Sequence, residues 1–189
     1  KLIWPVKTPI GKKAIMTTMG QAVLYSPFFM ISHIYALSTD KYEADGYSLP
    51  YHVGIQFSVF IYFIIAFLVL RRILLRYFNE TVTAITLLAI GAGTNLFYYI
   101  SYSAAMTHGF LFFLIVLFIF YLEKWHDKIT LKSTIILGLL AGLISLVRPT
   151  NALILILIPL WRVGKWKDLS VNLKNIFKNW YQIILMAAM

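Results

Sequence analysis

Long uncharged apolar runs alternate with short basic segments along most of this chain. The clearest run, Val53–Leu70, would cover about 27 Å as a helix, which is close to the hydrocarbon thickness of a bilayer. Three arginines follow it within six residues, as is typical of the cytoplasmic end of a membrane span. The pattern predicts two further spans, one over about 82–99 that runs outward and one over about 104–122 that runs back.

A single charge, Arg148, then interrupts a long apolar stretch in the sequence V-R-P-T-N. Pro149 disfavours helical geometry at the residue before it. The pattern therefore favours a hairpin of two short helices, 133–147 and 149–161, with its tip at the outer boundary of the membrane. Basic residues on both flanks place both ends of this hairpin on the cytoplasmic side. One kinked, tilted helix is the second interpretation, but it would put the basic segment 162–178 outside.

The rest of the chain divides by polarity. The apolar run 20–38 is interrupted by polar residues, so it is either a span or a helix on the outer surface, and 1–52 as a whole is assigned to the extracytoplasmic side. Residues 53–161 form the transmembrane part. Residues 162–179 form a basic cytoplasmic segment that reads as an interfacial helix or loop, and 180–189 begin a further span. The predicted fold is an all-α polytopic transmembrane bundle with an extracytoplasmic juxtamembrane helix.

Composition supports a membrane protein. The 189 residues are 60% hydrophobic and 13% charged, whereas soluble domains are about 45–50% apolar and about 25% charged. The net charge of +10 comes from loops between apolar runs, so it indicates membrane topology rather than nucleic-acid binding. The sequence has no cysteine, which excludes thiol chemistry. Because it starts at Lys1 and stops inside an apolar run, it reads as an internal fragment of a longer protein.

Arg148 is the strongest functional signal. A buried arginine costs about 2.5–3.5 kcal/mol on insertion scales, so it is read as functional. The sequence holds no acidic residue between Glu80 and Glu123 or between Asp127 and Asp168, so the neighbouring spans offer no carboxylate. A guanidinium in this setting suits a phosphate, which it binds with two parallel donors.

Other polar residues predicted at the outer face are candidates for contacts with the same substrate: Lys7, Asn95, Tyr99, His108 and Asn151. Each has a structural alternative, such as a solvated anchor for the lysine or an aromatic belt for the tyrosine. Asp45 is the best carboxylate for a base or a cation ligand, although its sequence, D-G-Y-S, is typical of a turn. No metal-ligand spacing, phosphate-binding loop or nucleophile arrangement is present. No cofactor is identified, and a divalent cation remains open.

Several short motifs occur in one order along residues 5–161: K-T-P-I-G, L-Y-S-P-F-F-M-I-S-H, D-G-Y-S-L-P-Y, G-T-N-L-F-Y-Y, M-T-H-G-F-L-F-F and L-V-R-P-T-N. Together they resemble bacterial polytopic glycosyltransferases of superfamily C, the group with protein mannosyltransferase-like and aminoarabinose transferase-like enzymes. The resemblance implies a multi-pass protein of the bacterial inner membrane. It implies sugar transfer from a polyprenyl-phosphate-linked donor on the extracytoplasmic face.

The resemblance also assigns roles. It implies that about 14–38 is the surface helix of the first outer loop and that Lys7 contacts phosphate. It implies that Asn95, His108 and Arg148 line the outward cavity. The family's usual catalytic aspartate, just after the first span, would lie upstream of Lys1, and Asp45 is a poor substitute at the far end of that loop. The fragment alone is therefore expected to be inactive.

Two other classes of function are open. A transporter or flippase for an anionic lipid or sugar would be expected to have inverted repeats and paired broken helices, and the sequence shows one break, at 148–149. A non-catalytic membrane scaffold would tolerate the loss of Arg148 as long as packing survived.

Overall fold

The computed structural model describes residues 6–7, 9, 13–14 and 19–188. Most of these residues are helical, so the predicted all-α class is confirmed. The described residues also include loops and one two-residue antiparallel pair, β1 (Val6–Lys7) and β2 (Lys13–Ala14). The helices are α1 (Gly20–Leu37), α2 (Leu49–Leu74), α3 (Glu80–Gly93), α4 (Leu96–Ser101), α5 (Thr107–Asp127), α6 (Leu131–Val147), a 3-10 helix (Pro149–Ile156), α7 (Leu157–Leu160), α8 (Trp166–Lys178) and α9 (Trp180–Ala187).

The helices α2 and α5 have the length and hydropathy of membrane spans. The sequence of α2 contains the predicted span 53–70, and Arg71 and Arg72 lie in its last turn. Much of its apolar surface is not covered by the rest of the chain, since large side chains such as Val53, Phe57 and Leu68 are more than half exposed. Surface of this kind is stable in hydrocarbon and costly in water.

The helices α2 and α5 run parallel to each other. Near their starts Val59 packs on Gly109, where a Cβ atom would lie only 2.7 Å from the valine methyl. Near their ends Arg76 reaches Glu123. One end of this helix pair therefore has an apolar contact and the other end has an ion pair. Helix α6 begins beside the end of α5 and runs back toward the first end.

The predicted span over 82–99 is interrupted in the structure. Helix α3 stops at Gly93, Thr94 is extended, and α4 starts afresh at Leu96. The hydroxyl of Thr94 donates to the carbonyl of Ile90 at 2.7 Å and accepts from the N–H of Leu96 at 3.2 Å. The threonine hydroxyl thus takes the place of backbone groups as the hydrogen-bond partner of Ile90 and Leu96, which favours the end of a helix. The nearby glycines lower the stability of the helix further.

The chain turns at Arg148. Helix α6 is about 25 Å long at helical rise, and the segment that follows begins as a 3-10 helix before the single turn of α7. Because a 3-10 helix rises about 2.0 Å per residue, this second arm of twelve residues spans about 22 Å. It returns to the end of α5, where His126 Nε2 lies 2.9 Å from the carbonyl oxygen of Ile158.

One boundary of the predicted layout differs in the structure. The surface helix expected over about 14–38 begins at Gly20, and Ala14 belongs to β2; residues 15–18 lie outside the described part of the chain. The basic segment 162–179 contains a regular helix, α8, and the apolar run after it begins α9 at Trp180.

Candidate functional site

Arg148 lies where α6 ends. Its backbone is extended, with φ −153° and ψ 107°, as expected for a residue before proline. Its N–H donates to the carbonyl of Ile144 at 3.0 Å, and its own carbonyl accepts from the N–H of Asn151 at 2.9 Å. The backbone is thus fixed while the side chain is exposed. Among the described residues, no carboxylate pairs with the guanidinium.

The first residue of α1 packs directly on the end of α6. A Cβ atom on Gly20 would lie 2.5 Å from the carbonyl carbon of Leu146 and 2.5 Å from the nitrogen of Val147. Only glycine permits this approach of two backbones. The contact places the start of α1 beside Arg148.

Replacing Gly20 by alanine is expected to destabilise the chain by about 1–3 kcal/mol, because the obstructing atoms are backbone and the helices must move apart. Gly93→Ala is the matched control. Apart from its own helix, no described residue has an atom within 4 Å of a Cβ at Gly93, so this change should stabilise α3 by about 0.4–1 kcal/mol. Thermal unfolding of both variants in the same detergent measures the difference. Equal effects would contradict the close contact at Gly20.

Two glutamines bind α4 and the segment that follows it. The Gln21 amide donates to the carbonyl of Ala105, between α4 and α5, at 2.7 Å. The Gln56 amide of α2 donates to the carbonyl of Ile100 in α4, so this amide joins two helices. The role of Gln21 is not evident from the sequence, where it reads only as a polar residue in an apolar run.

Tyr99 and His108 meet across this segment. Their rings stack with centroids 4.0 Å apart and an interplanar angle of 25°, and both side chains are half-buried. Arg148 lies at the same end of the bundle, because Gly20 packs on the end of α6 and the next residue, Gln21, bonds to Ala105 between α4 and α5. Three residues predicted for the site, one each from α4, α5 and the end of α6, are therefore brought to one end of the bundle, which is called the Arg148 end below.

For the other residues predicted to contact the substrate, the structure shows no side-chain hydrogen bond to Arg148, Tyr99 or His108 within its described part. Asn95 is exposed one turn before Tyr99 on α4, and its side chain makes no capping bond. Asn151 lies on the first turn after Arg148 and is half-buried. The backbone of Lys7 pairs with Lys13 between β1 and β2, while its side chain lies outside the described part of the structure.

The side chain of Asp45 is hydrogen-bonded within its own turn. Its Oδ1 accepts from the N–H of Tyr47 at 2.8 Å and of Ser48 at 2.9 Å. These two bonds to the ionised form lower the pKa of the Asp45 carboxyl below its usual 3.8, whereas a general base works best with a pKa near the operating pH. The loop packs on Phe29 through Gly46, which is about 13 Å along α1 from its start beside Arg148.

The opposite end of the bundle holds an ion cluster around Glu123, which is 1% exposed. Tyr77 donates to its Oε1 at 2.7 Å, Arg162 donates to the same oxygen at 3.2 Å, and Arg76 pairs with Oε2 at 2.8 Å. Arg162 also donates to Asp127 at 2.6 Å. That bond and the contact with Tyr77 raise the pKa of Arg162.

This cluster, called the Glu123 end below, joins the end of α2, α5 and the turn before α8. The sequence does not reveal it, since its members lie about forty residues apart. Arg162 has a left-handed backbone, with φ 56°. A non-glycine residue adopts this conformation only where its surroundings hold it there, and here the two carboxylates do so.

An apolar cavity of about 320 Å³ lies between α2, α3 and α4. Its walls are mostly aromatic, and the residues that line it include Phe57, Phe60, Phe63, Phe97 and Ile100, with Gln56 at one side. The cavity is close to the Arg148 end because Ile100 is the residue that follows Tyr99. Among the described residues, no group of three or more histidine or acidic side chains could hold a metal ion.

A scan of protein-family models, a search of curated proteins and a search of solved structures each return no match for this chain. The class of protein that the observations define is an all-helical chain with two helices of membrane-spanning length. Its candidate site is an exposed arginine at the same end of the bundle as a stacked tyrosine–histidine pair.

Proposed function

We propose that this chain is the central membrane portion of a glycosyltransferase that uses a polyprenyl-phosphate-linked sugar donor. The observation that carries the proposal is Arg148, an exposed guanidinium with no carboxylate partner among the described residues, at the same end of the bundle as the stacked pair Tyr99 and His108. A guanidinium has two parallel N–H donors, and a phosphate with two free oxygens is the ligand that accepts from both of them best.

The charge distribution supports an extracytoplasmic site. Within residues 19–188, the Glu123 end holds the arginines that end α2 and the lysines around the start of α6, whereas few basic side chains lie near Arg148. By the positive-inside rule the Glu123 end faces the cytoplasm, so the Arg148 end faces outward. In a bacterium this topology corresponds to a multi-pass protein of the inner membrane, with α3 and α4 crossing together and α6 entering as one arm of a hairpin.

The proposed chemistry is a displacement at the anomeric carbon of the donor sugar. A base removes the proton of an acceptor hydroxyl, whose oxygen bonds to the anomeric carbon while the bond from that carbon to the phosphate oxygen breaks. Arg148 stabilises the departing lipid phosphate, and Lys7 is a second candidate for this role. The stack of Tyr99 on His108 offers an aromatic surface for the sugar, with Asn95 and Asn151 at its margin.

Asp45 is a poor candidate for the base, because the turn around it holds its carboxylate on two backbone N–H groups away from Arg148. The apolar cavity next to Ile100 has room for part of the prenyl chain. A divalent cation, if the reaction requires one, would need ligands beyond the described residues or from the donor itself.

A polyprenyl phosphate is expected to raise the unfolding temperature of the full-length protein in detergent, whereas the corresponding polyprenol, which lacks the phosphate, should have little effect. Ligand at 100 times its Kd stabilises a protein by about 2.7 kcal/mol. Thermal unfolding with each lipid measures this difference. Equal stabilisation by the two lipids would mean that the tail alone is recognised, and the proposed donor class would be wrong.

The alternative, a transporter or flippase for an anionic lipid or sugar, gains one observation from the structure. The break at Thr94 is a second interrupted helix in addition to that at Arg148, and paired broken helices are a feature of transporters. Incubation of vesicles with donor and acceptor separates the two functions. Movement of intact donor across the bilayer without formation of glycosylated acceptor would favour transport.

A further inference from the structure

We infer that α8 docks on an anionic phospholipid surface at the Glu123 end. The inference requires the membrane setting of the proposed function but does not depend on sugar transfer. One side of α8 is fixed to the chain: the Asn172 amide donates to the carbonyls of Pro159 at 3.0 Å and Trp161 at 2.9 Å, and Ile176 packs against the core. The helix is thus held in place beside α7 rather than free to turn.

The neighbouring side of α8 is apolar and uncovered. Trp166 is 87% exposed, Phe177 is 74% exposed, and Leu173 lies between them. At about 100° per residue these three side chains fall within an arc of about 40°. They form what is called the apolar edge below. Trp180, the first residue of α9, is also largely exposed.

A stripe of lysines borders the apolar edge. Lys167, Lys174 and Lys178 fall within another arc of about 40° on the same helix, on the side away from α7. All three are exposed, and no carboxylate pairs with them among the described residues. An exposed apolar edge with tryptophan and phenylalanine next to a lysine stripe is the composition of helices that lie in the membrane interface.

Charge and position decide between a lipid surface and a protein partner. Protein interfaces are depleted in lysine, whereas each lysine near an anionic bilayer adds about 1 kcal/mol, or about fivefold in binding. The helix also joins two apolar segments, α7 and α9, that pack into the bundle at the end where the basic residues gather. Its apolar edge is therefore at the level where a bilayer would have its headgroups.

The absence of cysteine from the sequence permits a specific test. Ser170 is exposed and lies between the apolar edge and the lysine stripe, so Ser170→Cys can hold one environment-sensitive fluorophore. The labelled full chain is reconstituted in vesicles of phosphatidylcholine, or of phosphatidylcholine mixed with phosphatidylglycerol. We expect blue-shifted, more intense emission in the anionic vesicles, reduced by high salt. Replacing the three lysines with glutamine should lower the ratio of docked to undocked helix by about 100-fold.

Two variants separate the apolar contribution. Phe177→Ser, on the apolar edge, should shift the emission back toward that of an aqueous label, whereas Val171→Ser should have little effect because Val171 lies beyond the lysine stripe on the helical wheel. A label at Leu68→Cys, on the exposed side of α2, reports whether the chain is in the bilayer. A buried label at 68 with identical emission at 170 in both lipid mixtures would overturn the inference.

Other outcomes are also decisive. Shielding of the label at 170 that rises with the ratio of protein to lipid would mean that a second copy covers the apolar edge, which contradicts docking on lipid. An aqueous label at 68 would mean that α2 is not in a bilayer, which removes the premise of the inference and of the proposed function together. If α8 docks normally but the protein transfers no sugar, the proposed function is wrong and the inference about α8 stands.

Discussion

Arg148→Ala is expected to weaken binding of a polyprenyl phosphate to the full-length protein by about 10- to 100-fold. Hydrogen bonds to charged groups contribute about 1.5–3 kcal/mol, and the exposed guanidinium offers two parallel donors to a phosphate. Because the backbone of Arg148 is held by Ile144 and Asn151, truncation of the side chain should leave α6 in place. Competition between the lipid phosphate and a labelled analogue measures the affinity, and sugar transfer should fall with it.

Two further arginine variants make the test specific. Arg148→Lys keeps the charge but loses the planar fork, so its loss of affinity should be intermediate. Arg72→Ala is the matched control, since Arg72 is also exposed and has no ion pair among the described residues, but it lies in the last turn of α2, at the Glu123 end. If Arg148→Ala leaves donor affinity and transfer unchanged, Arg148 does not bind the phosphate.

Glu123→Gln is expected to reduce the free energy of unfolding by about 2–3 kcal/mol. Loss of one partner from a buried ion pair costs about 3–5 kcal/mol, and the cost is expected below that range here because Arg76 and Arg162 are partly exposed and can turn to water. Glutamine keeps the volume of the side chain, so the change in charge is isolated from packing. Unfolding of the chain in a denaturing detergent measures the effect.

Asp127→Asn provides the control for Glu123→Gln. Asp127 pairs with the same arginine, but both side chains of that pair are about half exposed. Such pairs contribute about 0–1 kcal/mol. Equal losses for Glu123→Gln and Asp127→Asn would show that the buried cluster stabilises the chain no more than a surface pair does.

The helical class and the positions of most helices follow from the sequence, because an apolar run of fixed length leaves a helix as the way to satisfy its backbone. The residues 53–70 became part of α2, and Pro149 ended α6 at the residue before Arg148. The interruption at Thr94 could not be predicted in the same way. It depends on side-chain bonds of Thr94 to Ile90 and Leu96, in a stretch without lysine, arginine, aspartate or glutamate.

The sequence by itself singles out Arg148 and His108, since isolated polar residues in apolar surroundings stand out from composition alone. It also determines that no cysteine chemistry is available. Only the tertiary structure decides that Tyr99 stacks on His108 and that Gly20 contacts the end of α6. It alone places Glu123 between two arginines.

The physical reason is the difference in range. Hydropathy and helix-ending residues act over a few positions, so they can be read from the order of residues along the chain. A ring stack, a close approach of backbones or a buried ion cluster joins positions about ten to well over a hundred residues apart. Such contacts exist only once the helices have packed, which is why the sequence predicts the arginine of the site but not the surroundings that hold it.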